Sequence, residues 1–146
     1  MKIFIAYKFS GEKAEALDKL LAPVCDALTE AGHVAYSTFH DPELQPGTDN
    51  YKNFAAHHYV FHAFSKLNDM DLLFVLLTSD EKSEGILLEV GYAMARGIPV
   101  VVAVKEDVTK TYLPGVGTAT FTWSDTQDLV EKLKMFAFDE VISRRN

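Results

Sequence analysis

Cysteine is nearly missing: Cys25 is the only one in 146 residues. One thiol cannot close an internal disulfide, so the chain suits a reducing compartment. Cys25 lies in an apolar helical pattern, the setting of a packed thiol rather than a nucleophile. Positive charge is also scarce. Lys and Arg number 14 against 21 Asp and Glu, giving a net charge of −7 and a pI near 5.1. That balance argues against general nucleic-acid binding, which needs a basic face. It leaves room for a small anion, because backbone N–H groups bind phosphate locally. No apolar run reaches the roughly 18 residues needed to span a bilayer. Lys2 leads directly into a strand-like run rather than a leader peptide. A cytoplasmic protein with no membrane partner is expected. Repeats, linkers and low-complexity segments are absent too, and the length fits one domain over residues 1–146.

What is present is alternation. Ile3–Tyr7 reads as a short buried strand. Residues 12–31 repeat apolar side chains at helical spacing, with Gly32 as a stop and Pro23 predicting a kink or two consecutive helices. Residues 33–38 read as a second strand and 41–50 as a loop. Residues 51–67, rich in aromatics and histidines, read as one helix. Asp71–Leu77 is nearly all apolar, as in a parallel strand covered on both faces. A helix over 84–96, a strand over 99–104, a strand over 119–123 and a helix over 125–138 complete the pattern. This order predicts a single α/β domain: a flavodoxin- or Rossmann-like three-layer sandwich with a five-stranded, mostly parallel sheet in the order 2-1-3-4-5. In that topology ligands bind between the C-terminal ends of strands one and three. The loop after Tyr7 and the loop after Leu77 should therefore meet at the site.

Those loops carry candidate ligand groups. The first offers Lys8, Ser10 and Gly11; the second offers Ser83, Glu84 and Gly85. Small residues and free N–H groups at a helix start suit an anion or a sugar hydroxyl, although Ser10 and Ser83 also read as ordinary helix caps. Glu89 stands among apolar neighbours, one turn into the helix that Ser83 opens, where a carboxylate breaks the pattern.

The stretch Ser83-Glu84-Gly85-Ile86-Leu87-Leu88-Glu89-Val90-Gly91-Tyr92-Ala93-Met94-Ala95-Arg96-Gly97-Ile98-Pro99-Val100 resembles the signature of the nucleoside 2-deoxyribosyltransferase family, which includes 2′-deoxynucleoside 5′-monophosphate N-glycosidases. The rest of the chain follows the family layout more loosely. The resemblance implies that Glu89 attacks C1′ of the sugar and forms a covalent glycosyl-enzyme, resolved by water or by an acceptor base. A carboxylate can do this through an oxocarbenium-like transition state, and the helix N-terminus is expected to keep it ionised. Serine at position 83, where transferases tend to have aspartate, implies contact with a 5′-phosphate. Asp71, with Asp69 as a competitor, matches an aspartate that contacts the sugar or helps protonate the leaving base. His40 matches a histidine after strand two. The family tyrosine of the first strand is replaced by Phe4, which cannot donate a hydrogen bond; Tyr7 is the substitute within reach. No cofactor is implied. The partners implied are a small nucleoside or nucleotide and further copies of the chain, as a homodimer or higher homo-oligomer.

Three other readings stay open. A true transferase would exchange bases between deoxynucleosides. A TIR-like domain, which Phe4-Ile5-Ala6-Tyr7 and the Ser83-to-Glu89 spacing also resemble, would signal or cleave NAD. A binding module without activity is kept open by Phe4. His58 and His62, at i and i+4, have metal-ligand spacing, but with no evident carboxylate or cysteine partner they read with His57 as aromatic packing, and no metal is expected. Lys132, Lys134, Arg144 and Arg145 read as a solvated helix face and tail.

Overall fold

A computed structural model describes residues 1–144; Arg145 lies outside them. Five strands form one parallel sheet in the order β2-β1-β3-β4-β5: β1 Lys2–Ala6, β2 Val34–Tyr36, β3 Leu72–Leu77, β4 Val100–Lys105 and β5 Ala119–Trp123. The expected strand order and domain class are both observed. β3 is buried along its whole length, because helices cover both faces of a parallel sheet.

One core layer packs α1 (Ala14–Glu30), α6 (Thr126–Met135) and α7 (Phe138–Ser143) against Ile3, Ile5, Phe74 and Leu76. The other packs α3 (Ala56–Leu67) and α4 (Glu84–Arg96) against Phe4, Ala6, Leu73 and Val75. Period-two alternation along β1 and β3 sends successive side chains to opposite layers. Glycines close two helices in the left-handed region, where a side chain would be strained: Gly32 at φ +89° and Gly97 at φ +67°.

The differences from expectation are local. Helix α1 runs through Pro23 as one helix, its buried face of Leu17, Leu21, Val24 and Leu28 holding it together. The helix expected over 51–67 is two. A short α2 (Asp49–Asn53) ends at Phe54, and α3 begins after Ala55, whose N–H donates to His58 Nδ1 at 2.8 Å. The final helix also divides, because Phe136 and Ala137 leave the helical conformation. Two 3₁₀ turns, Thr38–His40 and Pro42–Leu44, and a short helix α5 (Leu113–Val116) occupy segments without periodicity.

Lys132 and Lys134 pair with Asp128 at 3.0 Å and Glu30 at 2.9 Å, and Arg144 lies 3.9 Å from Glu140. These are surface pairs of small energetic weight.

Candidate active site

Glu89 is the sixth residue of α4, three after Ile86 and four before Ala93, both buried. That spacing puts it on the inward face of the helix. It is partly exposed and has no hydrogen-bond partner among the described residues. Burial pushes its carboxyl up to about 8. This corrects the expectation that the helix N-terminus keeps it ionised. The dipole effect fades after the first turn, and at the sixth position desolvation wins.

Tyr7 follows β1 and is nearly buried. Its hydroxyl lies 2.9 Å from Thr38 Oγ1. Burial, together with the nearby Glu89 charge, pushes the phenol up to about 12 against the pull of the Thr38 hydrogen bond. The phenol is therefore a neutral donor close to the carboxyl. Phe4 is buried with its ring 5.1 Å from that of Tyr36, so the missing first-strand hydroxyl has an aromatic neighbour from β2.

Lys8 spans the crevice. Its Nζ is 2.7 Å from Glu81 in the β3–α4 loop and 3.2 Å from Glu12. The two loops that the topology brings together are thus tied by an ion pair. Ser83 is the N-cap of α4, its Oγ accepting from the Ile86 N–H at 3.3 Å. Gly85, in the first turn, is exposed. A hollow lined by Lys8, Thr78, Ser83, Lys110 and Tyr112 opens beside that helix start, and a second, lined by Tyr7, Lys8, Leu17 and Thr78, opens toward α1.

Five expected residues are placed elsewhere. Asp71 precedes β3, and its carboxylate accepts from the Lys2 N–H at 2.7 Å. That is the N-terminal edge of the sheet, about 20 Å along the strand from the crevice. Asp69 is in the turn before it, its N–H donating to Lys66 O. Neither aspartate can touch a ligand at Glu89. Ser10 and Gly11 form a turn three residues ahead of α1, which begins after Lys13, so their N–H groups are not a helix N-terminus. His40 is turned to α1: Nε2 lies 3.3 Å from Asp18, Nδ1 2.9 Å from Ser37 Oγ and 3.9 Å from Cys25 Sγ. The Ser37–His40–Asp18 order has the connectivity of a nucleophilic triad. Ser37 is buried, however, and its oxygen accepts from the His40 N–H, so it caps a turn. Burial pushes the Cys25 thiol up to about 11, which keeps it unreactive.

Sequence reading missed Asp41. It is one of two buried polar residues among the described residues, with Ser37. Its carboxylate accepts from Tyr36 Oη at 2.5 Å and from the Glu43 N–H at 2.8 Å, and lies 2.9 Å from His62 Nε2. Burial alone would raise its pKa; the bonds from Tyr36, His62 and Glu43 outweigh it and hold the carboxyl below the ordinary aspartate value. The histidine read as lacking a carboxylate partner therefore has one, delivered by the β2–α2 segment. Asp41, Glu43 and His62 come close enough to share a cation. Tyr36 donates to Asp41, and Lys66 Nζ lies 2.7 Å from Glu43, so groups of the chain itself already engage both carboxylates.

No protein-family model matches the sequence, and a comparison with curated proteins finds no relative. Solved structures do match. A CMP N-glycosidase of Clostridium botulinum, BcmB, superposes with a TM-score of 0.67 at 16% identity, over 94% of this chain and 100% of that one. A 2-deoxyribosyltransferase of Bacillus psychrosaccharolyticus gives 0.62 at 21% identity, over 97% and 96%. A conserved protein of Enterococcus faecalis gives 0.62 at 19%, over 92% and 97%. The chain shares its fold with these proteins. At such identities the likeness is one of architecture, and function has to be argued from the site.

Proposed function

We propose that the chain is an enzyme of the nucleoside 2-deoxyribosyltransferase family that breaks the N-glycosidic bond of a nucleoside or nucleotide. The observation that carries this reading is Glu89: a carboxyl without a hydrogen-bond partner among the described residues, half-buried on the inward face of α4 and within electrostatic reach of the Tyr7 phenol. Support comes from the shared fold, since two of the similar structures are a CMP N-glycosidase and a 2-deoxyribosyltransferase.

In this reading ionised Glu89 attacks C1′. A C1′–O bond forms, the C1′–N bond breaks, and its electron pair leaves with the base. Water then attacks C1′, releasing the carboxylate and the free sugar hydroxyl, while the proton lost by water balances the one the base takes up. Tyr7 turns its O–H from Thr38 to the carboxyl to orient it. Ser83, Gly85 and Lys8 face the 5′ end of the sugar, and Lys8 must leave Glu81 to bind a phosphate. The reaction needs no cofactor. Exposed Phe61, Leu88 and Met94 on α3 and α4 suit contact with a second copy of the chain. The lone cysteine suits the cytoplasm, and no helix among the described residues is long and apolar enough to cross a membrane.

Incubation with ribo- and deoxynucleosides and their 5′-monophosphates, with and without a second free base, tests the proposal. Base release that Glu89→Ala abolishes is expected. Base exchange in place of release makes the protein a transferase. Turnover that persists in Glu89→Ala, or none on any substrate, sinks the assignment.

A further inference from the structure

The two buried polar side chains of the described residues, Ser37 and Asp41, flank one short turn, Thr38–His40. Ser37 caps it, its Oγ accepting from the His40 N–H at 3.3 Å. Asp41 closes it, with Tyr36 Oη at 2.5 Å and His62 Nε2 at 2.9 Å. His40 Nε2, 3.3 Å from Asp18, ties the turn to α1. Buried polar groups cost free energy unless satisfied, so a satisfied set specifies one local arrangement.

What this clamped turn presents to the site is Thr38. Its hydroxyl lies 2.9 Å from Tyr7 Oη and has no other hydrogen-bond partner among the described residues. Either oxygen can be the donor. Two hydroxyls that share one hydrogen bond have one proton to spare. If Tyr7 donates, the weaker donor is left over and Glu89 receives nothing. If Thr38 donates, the spare proton is that of the phenol, the stronger acid and the stronger donor. The Phe39 backbone, in the same turn, also pulls the phenol pKa down, as a donor to its oxygen does. Glu89 is the carboxyl whose charge bears on that phenol, and burial is the cause of its own raised pKa.

We propose that Thr38 is a positioning residue: it donates its O–H to Tyr7 and so frees the phenol proton for the Glu89 carboxylate. The inference rests on the reading of Glu89 as nucleophile and adds a group that acts only through Tyr7. No proton is transferred. Two O–H bonds rotate as Glu89 ionises, and the donors then run from Thr38 to Tyr7 to Glu89. Each hydrogen bond polarises the next, so Thr38 strengthens a bond it does not touch. The ties of Ser37 and Asp41 hold its oxygen in place while the hydrogen turns.

The test is a pH titration of Glu89 by NMR of protein carrying ¹³C at the glutamate carboxyls, the signal assigned by its loss in Glu89→Gln. Thr38→Val should raise the Glu89 midpoint by about half a unit to one unit, the worth of one hydrogen bond. Thr38→Ser, which keeps the hydroxyl, should restore it. In a Tyr7→Phe background Thr38→Val should have no further effect, because the coupling runs through the phenol. Turnover should follow: Thr38→Val lowers kcat between about twofold and tenfold with KM unchanged. Unchanged circular dichroism shows that each variant folds. A midpoint that Thr38→Val leaves in place, or a shift that persists without the Tyr7 hydroxyl, overturns the inference. The two claims fail separately. Glu89-dependent base release with an unmoved midpoint keeps the proposed activity and removes Thr38. The expected shift without base release from any substrate keeps the chain of donors and removes Glu89 as nucleophile.

Discussion

Glu89 and Asp41 are carboxyl groups in similar positions with opposite surroundings. Both sit above the C-terminal edge of the sheet, on the layer of α3 and α4. Asp41 is buried and receives hydrogen bonds from Tyr36 and the Glu43 backbone, with His62 against the same oxygen. Glu89 is less buried and receives none among the described residues. The partnered carboxyl is held below its ordinary range and the unpartnered one is pushed up to about 8. Burial costs a charge its hydration in both places; the difference is whether donors offset the loss. A satisfied buried carboxylate holds structure together. A dissatisfied one is available for chemistry.

The strongest way to break this contrast is to delete each group. Glu89→Gln should lower turnover by about a thousandfold or more, as for removal of a nucleophile, while leaving the fold intact. Single-turnover assays of base release check it, and activity within tenfold of the parent protein would reject the role.

Asp41→Ala should destabilise the fold by about 3–5 kcal/mol, the scale of breaking a buried charged pair. Urea unfolding at neutral pH measures it. The contribution of Asp41 is present above the ordinary aspartate pKa and is lost as pH falls through its lowered value, so the gap between Asp41→Ala and the parent should close in acid. Glu89 has the opposite sign. Its folded pKa lies above the ordinary 4.5. The folded state is therefore progressively penalised as pH rises from about 4.5 to about 8. Glu89→Gln should raise the melting temperature at pH 8 and change it little at pH 5.

The same titration sets a rate profile. If Glu89 acts as the carboxylate, kcat/KM should climb roughly tenfold per pH unit below about 8 and level off above it. A profile flat between pH 5 and 8 contradicts the assignment.

A smaller effect concerns Lys8. Glu81→Gln removes its 2.7 Å partner, leaving only Glu12. Inorganic phosphate or a nucleoside monophosphate should then bind a few-fold more tightly at low salt, consistent with the modest weight of exposed pairs. The gain should vanish at high ionic strength.

Much of the architecture was legible because apolar pattern follows period. Near-continuous runs at 72–77 and 100–104 demand cover on both faces, and that demand alone implies a parallel sheet with helical layers. Helix 84–96 was readable to its ends, since Ser83 caps one and Gly97 closes the other. Glu89 was legible as a carboxylate out of pattern. Asp71 was misleading because it is close in sequence to strand three, yet a strand separates its two ends by about 20 Å. Ser10 and Gly11 misled for a similar reason: α1 begins at Ala14, two residues later than the expected start at residue 12. Asp41 had no legible signal. Its partners lie 5 and 21 residues away on β2 and α3, and no spacing rule connects them.

Sequence alone, then, determined the layers, the strand order and the edge of the sheet where the candidate site lies, because hydrophobic period and chain connectivity are local properties. Tertiary structure alone decided which polar groups meet there, and in what state. It gave Asp41 its donors and left Glu89 without any among the described residues, tied Lys8 to Glu81, and placed Asp69 and Asp71 at the far edge. Hydration loss and hydrogen-bond supply depend on what is near in space, and neighbours along the chain do not report it.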